Sequence, residues 1–135
     1  YFSMPPAKLH LLGAALSNLH LEGSLAWLWI RHQDMVRASA TEEDCEGIVN
    51  YALSIQGVEA AVFLRELAEN RIRLSLRGKG RVNVAEIAEE LGGGGHENAA
   101  GCTLDGPLDR ALDEILTLLR GAVGAASSLR KPGPA

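Results

Sequence analysis

An α/β fold, a small mixed β-sheet flanked by helices in a single domain, is what this sequence predicts, and three observations carry the prediction. Segments whose apolar residues recur at helical spacing alternate along the chain with segments of strand pattern. One strand, Arg71–Arg77, alternates strictly, with Ile72, Leu74 and Leu76 on one face and Arg71, Arg73, Ser75 and Arg77 on the other. The length of 135 residues suits one core, and 47% hydrophobic with 22% charged residues is a globular balance.

Taken in order, Ala7–Leu19 carries Leu9, Leu12, Leu16 and Leu19 at helical spacing and predicts an amphipathic helix. Ser24–Arg31 is a nearly continuous apolar run and predicts a buried strand. Thr41 is placed to cap a helix, with Asp44 three residues on and Glu42 and Glu43 in its positive first turn. Cys45, Ile48, Val49, Ala52 and Ile55 would line one face of that helix, which Gly57 ends. Val58–Leu67 and Arg71–Arg77 read as two strands joined by a short "AEN" turn. Asn83 caps the next helix, whose Val84, Ile87, Ala88 and Leu91 share a face, with Gly92 just beyond its end. "AAGCTL" predicts a strand, and "DGP" turns the chain into a last helix with Leu108, Ala111, Leu112, Ile115 and Leu119 facing inward. "SSLRKPGPA" has no periodicity and reads as a loose tail. The resulting organisation is a connecting segment over residues 1–22, a domain over 23–121 and a flexible tail over 122–135.

Composition excludes several classes of function. A net charge of -4 argues against a general binder of polyanions. The charge is unevenly spread, however. "RIRLSLRGKGR" holds Arg71, Arg73, Arg77, Lys79 and Arg81 with no acidic residue, a strip suited to one specific anion. No apolar run approaches the roughly 20 residues that cross a bilayer, so no membrane partner is expected. Cys45 and Cys102 are too few for a disulfide scaffold and are expected to be reduced, which favours the cytoplasm. The opening "YFSMPPAKLH" has no secretory pattern, and Pro5-Pro6 reads as a linker to something upstream.

The segment "LGGGGHENAAG" calls for its own account, because ordering four adjacent glycines is entropically expensive. A flexible linker fits poorly between two elements with firm core patterns. A nucleotide phosphate loop precedes a helix, whereas these glycines follow one, and no "GK[ST]" comes after them. The remaining reading is a backbone nest, in which N–H groups of Gly93, Gly94 and Gly95 converge on phosphate oxygens and His96 adds a donor at the edge.

"GGGGHENAAG" resembles the GGGH-x-x-A-A-G signature of the DHH-associated domain, the C-terminal substrate-binding domain of DHH-family phosphoesterases. "RLSLRGKGRVNVAEIAEELGGGGHENAAGCTLDG" is similar to the context of that signature, and "TEEDCEGIVNYALSIQGVEAAVFLREL" resembles the preceding segment in the nanoRNase-like, oligoribonuclease branch. The resemblance implies a domain that grips substrate phosphate and sugar while an N-terminal DHH domain of the same protein holds two manganese ions. It implies substrate-binding roles for Gly93, Gly94, Gly95, His96 and Arg77, with Asn50 at a position where the family carries asparagine. Lys79 belongs to the same basic strand end. Glu97 and Gly78 depart from the family pattern, where a proline or basic residue and a serine are common.

No "DHH" string occurs here, and the histidines and aspartates show no metal-ligand spacing. The expectation is therefore no catalytic residue, no metal and no bound cofactor in this chain, with Mn2+ in the DHH domain. The implied partners are short single-stranded RNA or a nucleotide phosphate such as 3′-phosphoadenosine 5′-phosphate, and the DHH domain; a homodimer is left open. The alternative is a non-hydrolytic RNA-binding module like the C-terminal domain of alanyl-tRNA synthetases. A purely structural glycine turn in an assembly domain is the third reading.

Overall fold

The computed structural model describes the backbone of residues 3–130 and the side chains through Ala126. A six-stranded mixed sheet forms its centre: β1 (His20–Glu22), β2 (Leu25–Ile30), β3 (Ala60–Leu67), β4 (Arg71–Gly78), β5 (Gly94–His96) and β6 (Ala99–Asp105). Their order is β1-β2-β3-β4-β6-β5, parallel between β2 and β3 and antiparallel elsewhere. The helices are α1 (Pro6–Ser17), α2 (His32–Ala38), α3 (Ile48–Leu53), α4 (Val84–Glu90) and α5 (Leu108–Arg130). The predicted α/β class is the one observed.

The alternation in β4 decides how the layers form. Ile72, Leu74 and Leu76 are fully buried with Leu25, Val62, Leu64, Ala100 and Cys102 against α4 and α5. Each buried Ile, Leu or Val among them contributes about 1.5–3 kcal/mol. On the opposite face Ala26, Leu28, Ile30, Ala61 and Phe63 of β2 and β3 are covered by α1 and α3 through Leu11, Ala15, Ile48, Val49 and Ala52. The corresponding face of β4 carries Arg73, Ser75 and Arg77, all only half-buried.

Three departures from the sequence reading have clear causes. The helix predicted from Thr41 to Gly57 is broken. A 3₁₀ turn, Glu42–Cys45, is followed by Gly47 in the left-handed region (φ 82°), and α3 starts afresh at Ile48. The Thr41 N–H still donates to the Asp44 carboxylate at 2.8 Å. The apolar face survives the break, because Ile48, Val49 and Ala52 are buried with Cys45 and Ile55 packed beside them.

The helix α2 and the strand β1 had no counterpart in the reading. In α2 no residue is buried, and all three residues of β1 are exposed, so neither has an apolar pattern to read. Finally, α5 runs to Arg130, so residues 122–130 of the expected tail are helical; residues 131–135 lie outside the described residues. Ala122 and Val123 pack against the core there, and alanine's helix propensity offsets the cost of Gly121 and Gly124.

Candidate functional site

Strand register places the basic residues. Arg77 pairs with Ala61 of β3 and Ala99 of β6, and Ala99 pairs with His96 of β5. Paired residues share a face, so Arg77, Ala99 and His96 form one row across the sheet. The adjacent row is Phe63, Ser75, Gly101 and Gly94, and the next is Arg65, Arg73 and Thr103. The members of these rows beyond β3 lie on the part of the face that α1 and α3 leave uncovered.

Over the β3–β4 part of this face is an open cavity of about 490 Å³. Its floor is Phe63, Arg65, Arg73, Ser75 and Arg77, and its wall is Glu42, Glu43, Cys45, Glu46, Gly47 and Val49. The charges are arranged as a cationic floor and an acidic rim. Arg65 is tied to the rim by Glu42 at 3.4 Å, with only 12% of the arginine side chain exposed. Among the described residues neither Arg73 nor Arg77 forms an ion pair. Arg77 Nη1 donates to the Leu76 carbonyl at 2.9 Å, and Arg73 Nη1 donates to Thr103 Oγ1 at 3.4 Å. A guanidinium has five N–H donors, so most remain available to an oxyanion.

The glycine run is an extended edge strand rather than a nest. Gly92 is the left-handed residue beyond α4 (φ 85°), as expected, and the Gly93 N–H donates to the Ala88 carbonyl at 2.7 Å. Gly94–His96 then pairs with β6 as a hairpin. Convergent N–H groups need a curled backbone, and strand pairing straightens it. What the glycines supply instead is clearance. A Cβ on Gly93 would come within 2.6 Å of Cys102 Cβ, and one on Gly95 (φ 147°) within 2.6 Å of Ala100 Cα. At Gly94 a Cβ would meet nothing within 4 Å, because that residue faces the open side.

The hairpin tip is anchored by its carbonyls. Gly78 N–H donates to Asn98 O at 3.0 Å and Val84 N–H to Glu97 O at 2.9 Å. A Cβ at Gly78 would press on the Val82 carbonyl at 2.9 Å, which accounts for glycine there. The anchoring fixes His96 in the row of Arg77. Glu97 is itself exposed in the turn.

The residues singled out in the sequence thus divide. Arg77, Gly94 and His96 share the open face, while Gly93 and Gly95 shape the hairpin behind it. Asn50 is exposed on α3, with its amide nitrogen 4.0 Å from where a Gly47 Cβ would stand, and so borders the cavity without lining it. Lys79 is exposed in the loop after β4, outside the cavity. The sequence reading missed Arg65, Arg73, Ser75 and Gly101 as site residues. Strict alternation in β4 already put Arg73 and Ser75 on the face of Arg77; the register that adds Gly101 had no local signal.

Among the described residues no three His, Cys, Asp or Glu side chains group to hold a metal ion. The acidic rim is a wall of glutamates on the 3₁₀ turn and just after it. Cys45 lies in the wall with Sγ 3.6 Å from Met35 Sδ. Burial raises its thiol pKa above the ordinary range, against a smaller lowering by Arg65, so it is a neutral thiol at pH 7.

A model of the DHHA1 domain matches residues 26–125. The chain belongs to the DHHA1 domain family. It is 34% identical over 128 residues to the bifunctional oligoribonuclease and PAP phosphatase NrnA of Thermus thermophilus, covering 93% of this chain and 38% of that protein. It is 33% identical over 99 residues to the cyclic-di-AMP phosphodiesterase PdeA of Listeria monocytogenes, covering 68% of this chain and 15% of the relative.

Among solved structures, an exopolyphosphatase-related protein from Bacteroides fragilis superposes with a TM-score of 0.82 at 29% identity, over 97% of this chain and 38% of that one. The C-Ala domain of Aquifex aeolicus alanyl-tRNA synthetase matches at a TM-score of 0.55 and 14% identity, over 77% of this chain and 96% of that one, a likeness of fold alone. The DHHA1 chain is thus of the kind found in NrnA- and PdeA-like DHH phosphoesterases, and spans little more than a third of the length of its Thermus relative. No helix among its described residues is long and apolar enough to cross a membrane.

Proposed function

We propose that this DHHA1 chain is the substrate-binding half of a cytoplasmic, manganese-dependent DHH phosphoesterase acting on short single-stranded oligoribonucleotides or 3′-phosphoadenosine 5′-phosphate. The observation that carries this reading is Arg77: half-buried, without an ion-pair partner among the described residues, and in one row with His96 at the edge of an open face. Such a group binds phosphate through charge-assisted hydrogen bonds at little further ordering cost. Gly94 leaves the space beside it clear. Manganese and the hydrolytic step belong in this reading to the DHH domain; Arg77, His96 and Gly94 hold the nucleotide end, with Asn50 and Lys79 at the periphery. The names of the Thermus and Listeria relatives support phosphoesters of nucleotides as the substrate class. A non-hydrolytic RNA-binding role has a fold likeness alone behind it.

The test is Arg77→Ala in the full-length protein, with steady-state kinetics on a short oligoribonucleotide. Loss of one charge-assisted phosphate contact, about 1.5–3 kcal/mol, lowers kcat/KM by one to two decades. Thermal unfolding stays unchanged, since the fold's core lies on the other face of β4. Unaltered kinetics would remove Arg77 from the site and the reading with it.

A further inference from the structure

The acidic wall of the cavity is built as a unit of its own. The Thr41 N–H and hydroxyl donate to the Asp44 carboxylate at 2.8 and 3.4 Å. Asp44 N–H returns to the Thr41 carbonyl at 3.0 Å, and Glu46 N–H donates to the Glu43 carbonyl at 3.2 Å. These bonds close on themselves. Among the described residues no backbone-to-backbone hydrogen bond joins residues 41–46 to another element, and no residue of the 3₁₀ turn is buried. A segment with so few outside contacts sits at the low end of local stability.

Both ends of the unit are left-handed, with a φ of 52° at Ser39 and 82° at Gly47. Element-terminal positions of this kind absorb the backbone rotation of a hinge. Three side-chain contacts hold the wall between them. Glu42 meets Arg65 at 3.4 Å, Lys8 Nζ donates to the Glu46 carbonyl at 2.9 Å, and Cys45 Sγ lies 3.6 Å from Met35 Sδ. Of the three, the first alone reaches the cavity floor. It joins a glutamate side chain that is 83% exposed to an arginine that is 12% exposed, and an ion pair with one partner so open to water is a weak hold.

Charge decides what this pair does to the site. The carboxylates of Glu42, Glu43 and Glu46 are drawn to the floor of Arg65, Arg73 and Arg77. An anion on that floor takes up the same positive charge and repels the wall. We propose that residues 40–46 form a hinged wall, latched over the cavity by Glu42 on Arg65 and released when an anion enters. The contact is autoinhibitory: a carboxylate of the chain competes with the ligand. The inference rests on the substrate-binding reading above and adds its regulation. Coupling is reciprocal, so whatever opens the latch also raises affinity for the anion.

Cys45 reports the position of the wall. Its thiol packs against Met35 when the wall is latched and meets solvent when it swings, whereas Cys102 stays buried in both states. Alkylation of the full-length protein by iodoacetamide, resolved by peptide, follows both thiols in the unaltered protein, Glu42→Gln and Glu43→Gln. Burial raises the Cys45 pKa and Glu42 adds to that, so rates are compared at the thiolate limit read from their pH dependence. Glu42→Gln is expected to speed Cys45 labelling about two- to fivefold, the measure of one exposed ion pair, and to bind 5′-AMP more tightly by a similar factor. Glu43→Gln, on the same wall but without an ion pair among the described residues, leaves the labelling rate unchanged. Added 5′-AMP speeds Cys45 labelling in the unaltered protein and does so less in Glu42→Gln.

Equal thiolate-limit rates in the unaltered protein and Glu42→Gln, with matched melting temperatures, overturn the latch. Slower labelling in the presence of 5′-AMP overturns it too, because the wall would then close on the ligand. The underlying reading fails separately. If calorimetry shows binding of neither 5′-AMP nor the dinucleotide pApA while Glu42→Gln still speeds labelling, substrate binding falls and the latch stands.

Discussion

Gly94 and Gly95 are neighbours in the chain with opposite demands. Gly95 has a φ of 147° and faces β6 so closely that a Cβ would strike Ala100, whereas Gly94 has open space on the exposed side. Gly95→Val is therefore expected to disrupt the hairpin and lower stability, while Gly94→Val folds but loses substrate binding by projecting into the space beside Arg77. Thermal melts alongside kinetics separate the two; full activity in Gly94→Val would show that no ligand approaches there. Cys102 gives a pH signature. Its burial raises the thiol pKa above the ordinary range, outweighing a lowering by Arg73. A raised value in the folded state means stability fully present below the unfolded thiol's pKa and lost as pH rises through the folded one. Cys102→Ala should thus flatten part of the alkaline loss of stability, read from urea melts between about pH 7 and 10.

At the scale of elements, capping and propensity are local enough to be legible in sequence. Asn83 Oδ1 accepts from Ala85 N–H at 3.1 Å and Glu86 N–H at 3.3 Å, as its position before Val84 predicts. Asn83→Ala is expected to cost about 1 kcal/mol by leaving those donors unpaired. Gly121 sits inside α5 with nothing within 4 Å of a Cβ, so Gly121→Ala should add about 0.5–1 kcal/mol. Urea titration of both variants measures the two opposite shifts, and a neutral Gly121→Ala would mean that the end of α5 frays. The broken helix after Thr41 marks the limit of local reading. Cys45, Ile48, Val49, Ala52 and Ile55 were recognised as one apolar face, yet the glycine that interrupts it, Gly47, left that spacing unchanged. In the same way "RHQDMVRA" forms α2 without a periodic stripe, with Val36 65% exposed.

For the whole molecule, the ligand set is the deciding quantity. Residues 1–135 by themselves are expected to release no mononucleotide from a labelled short RNA across a manganese titration, since hydrolysis in the proposed reading needs metals held elsewhere. Residual binding should weaken with added salt as Arg73 and Arg77 are screened. Manganese-dependent turnover by purified chain, with contaminating nuclease excluded, would overturn the division of labour. What the sequence by itself determined was the α/β class, the two faces of β4, the cap at Asn83, the left-handed Gly92 and the glycine-histidine signature. Each depends on residues close in the chain, through a period of two, a period of 3.6 or a backbone angle. Only the tertiary structure decided that the glycine run is an edge strand, that Arg73 shares a row with Thr103, and that His96 shares a row with Arg77. Those facts follow from the register of β4, β6 and β5, which hydrogen bonds between distant segments set and which no local pattern encodes.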